Sequence, residues 1–453
     1  MIQQTLIVHK NCINTPMTNS FANDLALILD HVPSNEEIIL YKTIYNPYLE
    51  RLSELKLIGN IKTDIFACPI STNNSNKQPA SDIIIKSVLE TTSGGFEVTA
   101  LNAFMLLPNV ETEQGRRYID NIQKQIYTAS DLLNVPVISA NAWFNAASEH
   151  EALICISALS EKCNSEYIQQ SNNLVNTDNQ FRKLFFCYCE NNMHSISDFA
   201  YKLIKESFLE LLKLPHIQLY YSFGTIADLL AKFCIQSEFN GHINVGQIPF
   251  CNQSYDLVDS LYVSANKGFL LQVLPQQESN MRHIIQKWNL KYCLLSENYP
   301  DEPIIISHPS SGILKIERHV IKSISEIFQI EKPPFEPSFK NIRHPKTTIE
   351  TILLREQALK YLTRPNVASK RWLKDQLPRF SGMNNPSVNF HSDSPIVKTR
   401  NGQFVCCSVY SCIPNNNSTL TETIINTLLK LYCEITATGA QPQQTNICFI
   451  ISA

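Results

Sequence analysis

The stretch YSFGTIADLLAKF (221–233) ends like a strand, turns at Gly224 and continues as a helix with Ile226, Leu229, Leu230 and Phe233 on one face. Strand–glycine–helix corners hold phosphates or metal ions in α/β proteins, because the first helix amides point outward and carry partial positive charge. This corner contains one glycine, and its one carboxylate, Asp228, lies in the helix. Arg116 and Arg117, at the start of a second amphipathic stretch, could meet a phosphate or simply face water. By residue type, Cys187 with Cys189, and Cys406, Cys407 and Cys412, could bind a metal. No His stands at a matching spacing and no CxxC pair occurs, so the fourteen cysteines read as reduced, mostly buried thiols.

The elements that must position these residues alternate between helix and strand patterns. TLIVH starts strand-like, Phe21 to His31 is helical, EIILYKTIY (37–45) reads as a second strand and YLERLSELKLI as a charged helix. The polar STNNSNKQPAS then reads as a linker. Further on, TSGGFEVTALNAFMLL and VPVISANAWF predict strands flanking the amphipathic helix TEQGRRYIDNIQKQIYTASDLLN. DFAYKLIKESFLELLKL predicts a helix capped by Ser197 or Asp198, and GFLLQVL, KYCLLSE and PIIISH predict strands. EKPPFEPSF excludes regular structure through its prolines. Near the end, Thr419 and Glu422 form a capping box ahead of a stripe that includes Ile425, Leu428 and Tyr432, closed by Gly439. The pattern is α/β (α+β).

Composition narrows the function. The 38 basic and 41 acidic residues nearly cancel, so no strong field points to nucleic acid or an anionic membrane. No stretch approaches a membrane span and the start lacks the flanks of a signal peptide, which places the expected protein in the cytoplasm. Glycine is scarce: there are 12, against roughly 32 at ~7% usage. Phosphate cradles depend on glycine, because the backbone must approach the ligand closely. A nucleotide enzyme built with so few is unexpected.

SANKGFLLQVLPQQESNMRHIIQKWNLKYCLLSE (264–297), EKPPFEPSFK (331–340), RPNVASKRW (364–372) and ATGAQP (437–442) resemble the synthetase subunit of phosphoribosylformylglycinamidine synthase, in the aminoimidazole ribonucleotide synthase superfamily. The resemblance implies tandem N-domain and C-domain units whose N-domains pair through their sheets. It divides the chain into 1–68, a small α/β segment weakly like the fused small subunit; 69–81, a linker; 82–170, a first N-domain; 171–330, a first C-domain; 331–346, a linker; and 347–453, a second N-domain, truncated.

In that family ATP phosphorylates an amide oxygen as ammonia attacks, giving an amidine, with Mg²⁺ held by carboxylates. Position by position, the resemblance implies that those carboxylates are missing. An acid position reads Asn102, a glutamate Asn141 and an aspartate Asn145; at the corner an aspartate reads Ser222 while Gly224 is kept; later a glutamate reads Ser264 and an aspartate Ser411. Gly94, Arg117 and Asp393 remain as possible ligand contacts, and no catalytic or metal residue is assigned. The resemblance therefore implies a relative without amidine-forming activity and with no cofactor, acting through a protein partner: a synthase subunit, a glutaminase subunit or a second copy of itself. The alternative is a working synthase component that uses Mg²⁺ and ATP with ammonia from a separate glutaminase.

Overall fold

The computed structural model describes residues 3–9, 25–26, 28–29, 31–50, 61–71, 79–144, 151–163, 182–190, 199–251, 256–297, 303–309, 312–321, 396–398, 404–406, 425, 427–429, 432–433 and 446–452. Strand β1 (Gln3–His9) is followed by helix α1 (Asn35–Glu50). The strand expected at 37–45 is therefore helical. Ser34 and Glu37 decide it by capping each other: Glu37 N donates to Ser34 Oγ (3.2 Å) and Ser34 N to the Glu37 carboxylate (2.8 Å). Leu40 and Tyr41 then fall together on the buried side.

The first large sheet is built from β2 (Ile61–Ser71), β3 (Phe96–Leu107), β4 (Val137–Phe144) and β5 (Glu151–Lys162), in the order β2-β5-β3-β4. β2 pairs with β5 along its whole length, from Ile61↔Glu161 to Ser71↔Glu151. It runs through the boundary expected at residue 68, because an edge strand is defined by its ladder and not by composition. Helices α2 (Ala80–Ser93) and α3 (Glu113–Leu133) cover one face. Alternate residues of β3, Leu101, Ala103, Met105 and Leu107, meet Ile84 and Val88 of α2 and Ile122 and Ile126 of α3 in one core. Thr112 caps α3, accepting from Gly115 N at 3.0 Å, and Asn134 in the left-handed region ends it.

The second sheet runs β10-β6-β9-β7, antiparallel throughout, from β6 (Lys183–Tyr188), β7 (Gln218–Tyr220), β9 (Gly268–Val273) and β10 (Lys291–Glu297). Its central strands β6 and β9 are buried on both faces. Phe185 and Cys187 join the core already described, with Phe208 of α4 (Phe199–Leu211) and Ile285 of α7 (Glu278–Lys287). Leu184 and Phe186 face a second core with Phe233 of α5 (Ile226–Gln236), Leu261 of α6 (Leu257–Tyr262) and Tyr41 of α1. Helix α1 thus belongs to the core of the second unit.

A third sheet, β12-β11-β8, closes this side, with β8 (Gly241–Asn244), β11 (Ile304–Ser307) and β12 (Ile313–Ile316). β13 (Ile396–Lys398) pairs with β14 (Phe404–Cys406), and β15 (Asn446–Ser452) pairs in parallel with β1. Ile425 and Tyr432, expected in an apolar stripe, are helical and exposed. The cap positions 197, 198, 419 and 422, the linker at 331–346, and Gly439 lie outside the described residues. Among the described residues no helix is long and apolar enough to cross a membrane.

Candidate functional site

The corner at 221–228 is built as the sequence predicts. β7 ends at Tyr220, and Ile226, Leu229, Leu230 and Phe233 of α5 are all buried. Thr225 caps α5 through a reciprocal box with Asp228. The Asp228 carboxylate accepts from Thr225 N (2.7 Å) and Thr225 Oγ1 (2.9 Å), while Thr225 Oγ1 accepts from Asp228 N (3.3 Å). This T-x-x-D signal was readable in the sequence and overlooked there. It gives Gly224 its reason: a Cβ at that position would lie 2.2 Å from Asp228 Oδ2.

A second expected segment docks on this corner. Ile226 N donates to Val263 O and Ala265 N to Gly224 O, both at 2.8 Å, and Thr225 and Ser264 form an isolated antiparallel bridge. The segment carrying Ser264 thus meets the corner that carries Ser222 and Gly224, Ser222 half-buried and Ser264 exposed.

A charged cluster lies under the corner. Glu90 of α2 accepts from Phe223 N (3.0 Å), and its other oxygen lies 3.8 Å from Lys232 Nζ, which donates to Tyr221 O (2.7 Å). Burial pulls the Lys232 amine below its ordinary range, against the opposing pull of Glu90. Burial also pushes the Tyr221 phenol far up, and its hydroxyl donates to Asn266 O at 3.1 Å. Beside the cluster, Asp64 pairs with Lys62 (2.9 Å) and accepts from Thr91 Oγ1 (3.0 Å). Neither Glu90 nor Lys232 was singled out from sequence, since a charge on an amphipathic helix ordinarily faces water.

The other expected positions are spread more widely. Gly94 ends α2, donating to Glu90 O and Thr91 O. Asn102 sits in β3 opposite Ser139 and Ser157, 4% exposed, with its Oδ1 unpaired. Asn141 lies in β4 opposite Phe104. Arg117 pairs with Glu113 one turn earlier (2.5 Å) and is mostly exposed, while Arg116 donates to Val110 O and Glu111 O. Asn145, Asp393 and Ser411 lie outside the described residues. Cys187 and Cys189 are buried thiols not joined in a disulfide; burial pushes Cys187 well up, and Cys189 up as well.

Two helix-covered sheets joined through such a corner define a mixed α/β protein of the aminoimidazole ribonucleotide synthase-like fold. The comparisons make this particular. The chain superposes on T. maritima PurL complexed with ATP with a TM-score of 0.54 and 12% identity, covering 84% of this chain and 64% of that one. For T. maritima PurL complexed with AMPPCP the values are 0.50, 13%, 75% and 60%. In sequence it is 18% identical over 180 residues to the phosphoribosylformylglycinamidine synthase subunit PurL of Bartonella quintana, covering 39% of this chain and 24% of that protein. The chain thus spans a quarter of that relative and under two thirds of these PurL chains. No family model matches.

The corner's donor set does not fit a divalent cation. Its side chains offer hydroxyls at Ser222 and Ser264, Asp228 is held in the helix cap and Glu90 faces Phe223 N and Lys232, and among the described residues no group of three or more His, Cys, Asp or Glu could hold a metal ion. Mg²⁺ favours carboxylate oxygens that are free to turn toward it.

Proposed function

We propose that this chain is a degenerate PurL-like protein that lacks ATP-dependent amidine-forming activity and works as an interaction or regulatory protein. The observation that carries the reading is the engagement of Asp228. Asp228, the acid in the segment 221–228, closes a capping box beside Gly224, its Oδ2 taken by Thr225 N and Oγ1. The uncharged Asn102, buried in β3, supports the same reading, because an amide supplies no charge to a metal-bound phosphate. Cores are held by packing and sites by ligands, so a fold can outlast its chemistry.

Titration calorimetry with Mg·ATP and with formylglycinamide ribonucleotide tests this. The expected result is no metal-dependent heat from either. Magnesium-dependent ATP binding would overturn the reading and favour a working synthase component. In the variant Asn141→Glu/Asn145→Asp/Ser222→Asp, a gain of magnesium-dependent binding is expected if the pocket has kept its shape.

A further inference from the structure

We propose that Glu90 is an internal anion seated in an oxyanion niche, and that the niche accepts a small oxyanion of the phosphate or carboxylate class once the Glu90 carboxylate is removed. The niche has two donors at the corner. Phe223 N–H donates to one Glu90 oxygen at 3.0 Å, and the Lys232 ammonium faces the other at 3.8 Å. Both side chains are largely shielded, with side-chain exposures of 16% for Glu90 and 20% for Lys232. A charged group in such a setting is held by fixed donors rather than by water.

The niche is rigid on every side. Lys232 is anchored by its bond to Tyr221 O, and Tyr221 is fully buried with its hydroxyl on Asn266 O. The Gly224 carbonyl is pinned by Ala265 N, and Thr225 is locked by its cap. The amide and the amine therefore keep their places whether or not a carboxylate lies between them. Lys62 and Lys86 also contribute positive potential at Lys232, and Asp64 opposes them. With Glu90 gone, Lys232 loses its facing carboxylate and the Phe223 amide loses its acceptor. An unpaired amide beside an uncompensated buried ammonium is what a small oxyanion relieves.

The arrangement is also a latch. Glu90 lies on α2, which packs on the first sheet, whereas Phe223 and Lys232 belong to the corner at the edge of the second sheet. Removing the Glu90 carboxylate therefore removes this tie between the two units.

The test uses the full chain in chloride buffer, with inorganic phosphate and acetate as probes and unfolding as the readout. Glu90→Ala should be less stable than wild type and should recover in the presence of the anion; at ten times the dissociation constant its folding equilibrium constant rises about 11-fold. Wild type should not respond, and Glu90→Ala/Lys232→Met should lose the response. Preference for phosphate marks a tetrahedral niche, and preference for acetate marks replacement of the missing carboxylate itself. Equal responses in wild type and Glu90→Ala, or a response that survives the loss of Lys232, overturn the proposal. If Glu90→Ala does not fold unaided, refolding it with and without the anion carries the test: recovery of the folded state with phosphate or acetate, and not in chloride alone, is expected, and no recovery refutes the niche.

Discussion

Replacing Gly224 by alanine separates two reasons for a glycine at this corner. The backbone there is not in the left-handed region, so alanine is conformationally allowed. The obstacle is Asp228. The new Cβ would lie 2.2 Å from its Oδ2 and 2.9 Å from its Cγ, more than 1 Å inside normal contact for the first, so the carboxylate must leave. With it go the bonds to Thr225 N and Oγ1. The two bonds lost are made to an ionised carboxylate, while the Thr225 cap on Asp228 N remains, so Gly224→Ala should cost about 2 kcal/mol, and Asp228→Ala about the same. In the Asp228→Ala background the clash is absent. There Gly224→Ala should be neutral, or stabilising by up to about 1 kcal/mol through the stiffer unfolded chain.

The double variant should therefore cost about 2 kcal/mol where additivity would give about 4, a coupling of about 2 kcal/mol. Urea unfolding followed by far-ultraviolet circular dichroism, without added ligand, measures all four corners of the cycle. A double variant that costs the sum of the singles would refute the argument. So would a Gly224→Ala protein of wild-type stability, which would mean that the glycine serves a ligand and not the cap.

Other outcomes follow from single contacts. Arg318 donates to Ser237 O, Phe239 O and Asn240 Oδ1 at 2.6–3.0 Å, tying the end of α5 to the segment after β12, so Arg318→Ala should lower stability by about 2–4 kcal/mol in the same urea assay. Ser34→Ala removes one half of the α1 capping box and should cost about 1 kcal/mol, with helix α1 fraying first in hydrogen exchange. Burial pushes the thiols of Cys68 and Cys293 up to about 11, and those of Cys234 and Cys251 up to about 12. Because the folded values lie above the unfolded value of 9.0, this stability is complete below pH 9 and is lost as pH rises toward 11–12. The slope is about 1.4 kcal/mol per thiol per pH unit. Melting temperatures under reducing conditions should fall above pH 9, and Cys234→Ala should fall less steeply; a flat profile would contradict the burial.

What could be read from the chain depended on how local the deciding interaction was. The buried face of α5 is visible in the spacing of Ile226, Leu229, Leu230 and Phe233, because helical periodicity and burial are set within eleven residues. Helix α1 was misread for a related reason. Ile38, Ile39, Leu40 and Tyr41 make a continuous apolar run, which periodicity cannot assign, and the decision fell to the Ser34–Glu37 cap that precedes it. β5, central to the first sheet, went unread as well, and its place depends wholly on ladders to β2 and β3 formed across the chain.

The candidate site divides in the same way. The Gly224 turn is legible, and so is the T-x-x-D box, since each lies within a few neighbouring residues. Glu90 is not legible, because its partner at Phe223 is 133 residues away and nothing near Glu90 distinguishes it from a solvated acid. Only the fold shows that a carboxylate from another unit, Glu90, is in contact with the corner. A corner that had merely lost its acids would leave its donors to water. Here the Phe223 amide and the Lys232 amine both face Glu90, so the anion experiment asks whether the niche is still built for a ligand or only for its own side chain.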